Sequence, residues 1–202
     1  GDRLIVCDTG NRRVLIWDDP QTTGQPADLV LGQHDFTCRD ENAGGAVSDV
    51  SMRWPHMAIV WQGGLAVADA GNNRVMIWDA FPGQNGTQCD TVLGQADMTA
   101  CDHNMASYYP TSQAMNMPYA LATLGSTLVV ADTANSRLLG FEDTGMAAHA
   151  DRLTAQPDFA AKGDNRWGIA ERDTVCWPYG LSALGSTVAV ADSGNNRILI
   201  WD

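Results

Sequence analysis

An all-β fold, built from small antiparallel sheets repeated along the chain, is what this sequence predicts, on three observations. An eleven-residue stretch recurs four times, starting at Asp8, Asp69, Asp132 and Asp192, so its period is about 60 residues. Each copy is flanked by short apolar runs, such as Leu65–Val67 before and Val75–Ile77 after, so two strands enclose a polar turn. Strand alternation puts Arg13, Leu15 and Trp17 on one face and Val14, Ile16 and Asp18 on the other, so both faces carry apolar residues. Repeated antiparallel sheets covered on both sides predict a β-propeller of four-stranded blades, in which each blade packs against a neighbour on either side.

The first element is the hairpin. Its copies read Asp8-Thr-Gly-Asn-Arg-Arg13-Val-Leu-Ile-Trp17-Asp18, Asp69-Ala-Gly71-Asn-Asn-Arg74-Val-Met-Ile-Trp78-Asp79, a degraded Asp132-Thr-Ala134-Asn-Ser-Arg137-Leu-Leu-Gly-Phe141, and Asp192-Ser-Gly194-Asn-Asn-Arg197-Ile-Leu-Ile-Trp201-Asp202. The Asp is expected to accept hydrogen bonds from backbone N–H groups of the turn, with the neighbouring Gly and Asn free to take positive φ. Ala134 implies that the third turn stays at negative φ or is strained. Loss of Arg74 or Trp78 is expected to cost ~1–3 kcal/mol, the usual range for buried positions.

The second element, Asp28-Leu-Val-Leu-Gly-Gln33, returns as Asp90-Thr-Val-Leu-Gly-Gln95 and more loosely as Asp151-Arg-Leu-Thr-Ala-Gln156, and reads as an outer strand. The third is a strand opened by proline, at Trp54-Pro55-His56, Met117-Pro118-Tyr119 and Trp177-Pro178-Tyr179, and reads as the innermost strand. Connections of about 20 residues join outer to inner strands, over 34–54, 96–117 and 157–177. The chain is thus one domain, 1–202, with repeats near 1–33, 55–95, 118–156 and 178–202. The middle two are complete, the first lacks an inner strand, and the last lacks an outer one.

The Asp-x-Gly-Asn-x-Arg-Val-x-x-Trp pattern resembles the NHL repeat of β-propeller proteins along the whole chain. That resemblance implies a six-bladed propeller of which four blades are represented here, a compact four-blade array being the other arrangement. The chain also resembles propeller enzymes such as the peptidyl-hydroxyglycine amidating lyase and the calcium-dependent lactonases, which carry a metal on the axis. Their chemistry needs converging histidines or carboxylates. Here His34, His56, His103 and His149 occupy non-equivalent repeat positions, and no catalytic motif stands out. No catalytic residue, metal ligand or cofactor is therefore assigned.

Composition narrows the partners. Net charge is −12, and the 12 basic residues comprise 11 Arg and one Lys, Lys162, with four of the Arg at the repeat position, so nucleic-acid binding is disfavoured. No apolar run reaches the length of a membrane span. Five cysteines, Cys7, Cys38, Cys89, Cys101 and Cys176, fix neither a disulfide pairing nor a compartment, and an extracytoplasmic location is compatible with them.

Two sets of residues are candidates for binding. His56, Tyr119 and Tyr179 follow the inner-strand prolines and are expected at the mouth of a central channel. His34, Phe36, Trp54, His103, Tyr108, Tyr109, Arg166 and Trp167 lie in or beside the long connections, which share one face with the Asp-Gly-Asn turns. These predict a non-catalytic scaffold engaging a protein, peptide or small-molecule ligand through its long-loop face. The alternatives are a metal-dependent propeller enzyme with a central site and a structural or sensor domain of a larger extracytoplasmic protein.

Overall fold

The computed structural model describes residues 3–202, and within them fourteen strands form four antiparallel sheets without an α-helix. The first sheet contains β1 (Arg3–Asp8), β2 (Arg13–Asp18) and β3 (Leu29–Leu31). The second contains β4 (Pro55–Trp61), β5 (Gly64–Asp69), β6 (Arg74–Trp78) and β7 (Thr91–Leu93). The third repeats this with β8 (Pro118–Leu124), β9 (Thr127–Asp132), β10 (Arg137–Phe141) and β11 (Arg152–Thr154). The fourth has β12 (Pro178–Leu184), β13 (Thr187–Asp192) and β14 (Arg197–Trp201). Strand order follows chain order in every sheet, so the expected hairpins, proline-led strands and short last strands are all present. Among the described residues the first sheet has no proline-led strand and the fourth no last strand, as read from the repeat.

The core lies between successive sheets, and strand alternation decides which residue faces which neighbour. Leu65, Val67, Met76 and Trp78 pack with Val14, Ile16 and Leu31 of the first sheet. The intervening Ala66, Ala68, Val75 and Ile77 pack with Leu128, Val130, Leu139 and Phe141 of the third. A third cluster joins Ala131 and Leu138 to Val188 and Val190 of the fourth sheet, and no cluster joins the fourth sheet to the first among the described residues. The sheets converge along β4, β8 and β12, which contact one another in succession.

The repeat's polar residues play a different part from the one the turn chemistry predicts. The Asp does not cap its own turn. Asp69 Oδ2 accepts from Asn72 Nδ2 at 2.8 Å and Arg74 Nε at 2.9 Å, while Oδ1 accepts the backbone N–H of Arg53 at 2.7 Å. Asp132 and Asp192 repeat all three bonds. The left-handed residue of the turn is neither the Gly nor the Asn beside it but the residue before the Arg: Arg12, Asn73, Ser136 and Asn196, at φ 51–56°. Gly71 is required by close approach instead, since a Cβ there would come 2.4 Å from the Arg53 carbonyl oxygen. Ala134 stays outside the left-handed region, and its N–H sits 3.1 Å from the Asn116 oxygen, against 2.7 Å for Gly71 to Arg53.

Arg74 is fully buried, and so is Asp69. Its remaining N–H groups donate to Met98 O at 2.6 Å, Ser48 O at 2.8 Å and Ser51 O at 2.9 Å. One guanidinium therefore holds the connection before its sheet and the connection after it. Arg137 does the same through Thr111 O, Ala114 O and Phe159 O.

Candidate functional site

The long connections are ordered repeats themselves. Each contains three consecutive left-handed residues: Asn42, Ala43 and Gly44; Asn104, Met105 and Ala106; Asn165, Arg166 and Trp167. The Asn of each run exchanges amide hydrogen bonds with the turn Asn of the next hairpin, as between Asn104 and Asn135 at 3.2 and 2.8 Å. L-residues adopt this conformation singly and at a cost of roughly 1–2 kcal/mol each, so three in a row need fixing by such bonds.

In the third connection the run displays an aromatic residue. Trp167 occupies the place of Gly44 and Ala106, at φ 63°, with its indole against Gly163 and 76% of its surface exposed. It lines a groove of about 310 Å³ with Tyr108, Tyr109, Gln156, Lys162 and Arg166. Tyr108 and Tyr109 meet edge to face at 4.9 Å and are both well exposed. The Lys162 ammonium stands 3.6 Å over the Tyr108 ring and donates to Tyr108 O at 2.7 Å. Arg166 is held by the Asp173 carboxylate at 3.0 Å, whereas Lys162 makes no ion pair among the described residues. The buried amide oxygen of Gln156 has no hydrogen-bond partner, a state it shares with Gln33 and Gln95. The groove thus offers aromatic surface and one cation that no carboxylate pairs among the described residues.

The second candidate set also comes together. His56, Tyr119 and Tyr179 are the extra residues of β-bulges: the register of β4 with β5 skips from Pro55 to Met57, and β8 and β12 slip at the same place. A bulge re-aims the side chain it carries. Because β4, β8 and β12 are neighbours, the three rings form a ladder, with His56 on Tyr119 at 4.0 Å, Tyr119 beside Tyr179 at 4.9 Å, and Trp177 edge-on to Tyr179 at 6.2 Å. Burial holds the His56 pKa below its ordinary value and favours the neutral ring. Burial, and then the neighbouring Tyr179, raise the Tyr119 pKa.

The other loop candidates stay apart. His34 and His103 are exposed in separate connections, Phe36 accepts a hydrogen bond from Arg13 through its carbonyl, and Trp54 stacks with the Arg53 guanidinium at 5.1 Å. Lys162, Gln156 and Trp177 were absent from the sequence candidates, and only the singularity of Lys162 among the basic residues could have signalled one of them. Among the described residues no three His, Cys, Asp or Glu side chains are grouped to hold a metal ion. The partners of His56 are phenol rings, which do not fit a resident divalent cation. All five cysteines are free, and burial pushes the Cys7 and Cys89 thiols up to about 12.

No protein-family model matches the chain, and no curated protein matches it. Among solved structures it is similar to U3-55K, at 12% identity and a TM-score of 0.34 over 78% of this chain and 53% of that one. The chain spans about half the length of that structure. No helix among the described residues is long and apolar enough to cross a membrane.

Proposed function

We propose that this chain is an NHL-type β-propeller module, its sheets the blades of a six-bladed ring, and that it acts as a non-catalytic scaffold binding a peptide segment on its long-loop face. The observation that carries the binding role is Trp167. A large aromatic residue held at positive φ, where a sister repeat has glycine, gives up backbone stability while leaving most of its surface in water. The amide bonds between Asn165 and Asn195 hold the run in place, and contact with a ligand would give the exposed indole its use. The groove beside it lies at the small end of the range for ligand sites. Its Lys162 on a chain of net charge −12 selects an acidic side chain or terminal carboxylate, and the tyrosines select an apolar or aromatic neighbour.

The test is selection of displayed random linear peptides on the purified protein, followed by titration of the enriched sequences against Trp167→Gly and Lys162→Ala. Acidic peptides should be enriched. Trp167→Gly should be more stable than wild type by about 1 kcal/mol, because the strain is relieved, and should lose binding. Enriched peptides that bind the Gly variant as well as wild type would remove the groove from consideration.

A further inference from the structure

The outer edge of the first sheet is closed by a turn that belongs to the second. β3 is the last strand of its sheet, and Val30 at its centre bonds outward. Its N–H donates to the Asn85 side-chain oxygen at 3.0 Å, and its carbonyl accepts the Gly86 N–H at 3.1 Å. Two consecutive residues of the β6–β7 connection thus hold both main-chain polar groups of one buried residue. An edge strand left open is a template for other strands, and this turn covers it. The next seam is made differently. Ala147 donates to Val92 O at 3.4 Å, but Met146 precedes it, and the second bond runs from the Thr91 hydroxyl to Thr144 O at 2.9 Å. Among the described residues, a side-chain amide closes a sheet edge in this way only at the first seam.

The same two residues are chemically labile. Asn85 is the one asparagine in the sequence that glycine follows. Glycine has no side chain to shield its backbone nitrogen, and Gly86 takes φ 63° in the turn. Asn85 is exposed, so water reaches its amide.

We propose that Asn85 is a modification site, at which deamidation unlocks the seam between the first and second sheets. The Gly86 nitrogen gives its proton to a base and attacks Asn85 Cγ; the Cγ–Nδ2 bond breaks, and ammonia leaves from a five-membered imide. Water then opens the ring. Opening at Cγ gives aspartate, opening at the main-chain carbonyl gives isoaspartate, and neither step is a redox change. In the closed seam the attacking N–H and the attacked carboxamide are both bonded to Val30, so the ring forms when the seam opens. The two products differ in effect. Aspartate keeps the backbone and an oxygen that accepts the Val30 N–H. Isoaspartate adds a carbon to the main chain, which carries Gly86 away from the Val30 carbonyl and uncovers the edge of β3.

Ageing the intact protein in mildly alkaline buffer, beside a synthetic peptide copying residues 81–88, tests the site. Ion exchange separates the products, peptide mapping locates them, and electron-transfer fragmentation tells isoaspartate from aspartate. Asn85 should convert before any other asparagine, and more slowly than in the peptide by roughly tenfold to a hundredfold, the weight of two hydrogen bonds. Urea below the unfolding transition should narrow that gap. The Val30 amide should exchange hydrogen faster in the isoaspartate form, whereas Asn85→Asp should protect it as wild type does. Asn85→Gln should lose the reaction, because the larger ring closes far more slowly. The proposal is overturned if another asparagine converts first, if the folded protein converts as fast as the peptide, or if the isoaspartate form protects Val30 as well as wild type. Asn85 still intact after roughly a hundred half-lives of the peptide would overturn it too.

Discussion

Arg74→Met removes a guanidinium that is 0% exposed, and the structure sets the size of the effect. The methionine keeps the stem's volume and discards four hydrogen bonds, to the Asp69 carboxylate and to the carbonyls of Met98, Ser48 and Ser51. Asp69 is left with the Arg53 N–H and Asn72 amide but no countercharge. Breaking a buried pair from one side costs about 3–5 kcal/mol, above the ~1–3 kcal/mol expected from the sequence, because both partners are wholly out of water. Arg13→Met is the control. Its pair with Asp8 joins the same atoms at 2.8 Å, against 2.9 Å for Arg74 and Asp69, but the side chains are 17% and 25% exposed, so the loss should be about 1 kcal/mol or less. Urea unfolding followed by circular dichroism and tryptophan fluorescence gives both values where the two probes coincide. Asp69→Leu combined with Arg74→Met should cost less than the sum of the single changes. Equal losses for Arg74→Met and Arg13→Met, or strict additivity in the double variant, would refute the clamp.

Three further outcomes are expected. His56 should titrate below 6.5 by NMR, and stability should fall as pH drops through 6.5, because the unfolded chain takes up the proton first; Tyr119→Ala, which opens the imidazole to water, should move its pKa back up. Asp35 accepts from the Thr37 hydroxyl and from the Thr37 and Cys38 N–H groups, which bring it down to about 2; its carboxyl carbon should keep its charged-state shift until near that pH, and Thr37→Ala should raise the midpoint. Gly71→Ala should cost about 1–3 kcal/mol in thermal or urea unfolding because the Arg53 carbonyl must retreat, whereas Gly10→Ala, which meets nothing within 4 Å, should be close to neutral.

The strands were legible because their signal is local: alternation, proline at the first position, and turn residues at a fixed offset. The Asp's role was not. Its partners are five residues ahead and sixteen behind, and a turn-capping preference speaks only of neighbours. The order within the connections was legible but overlooked. Asn42, Asn104 and Asn165 follow Gln33, Gln95 and Gln156 at one constant spacing, a repeat masked by the variable residues around it. The aromatic ladder could be anticipated from Pro55, Pro118 and Pro178, since equivalent positions on neighbouring strands must be close. The groove could not. Tyr108 and Trp167 belong to different connections at non-equivalent repeat positions, and only the packing of one connection on the next brings them together.

Because Arg74 fastens the connection at Met98 and Arg137 fastens it at Thr111 and Ala114, the exposed stretch between them is anchored at both ends. A single cut between Tyr108 and Tyr109 therefore leaves two fragments still joined by side chains and by the apolar layer between the second and third sheets. The nicked molecule should migrate as one species until denaturant is added. Separately expressed halves should find each other, which makes this loop a natural place to split the protein or to open new termini.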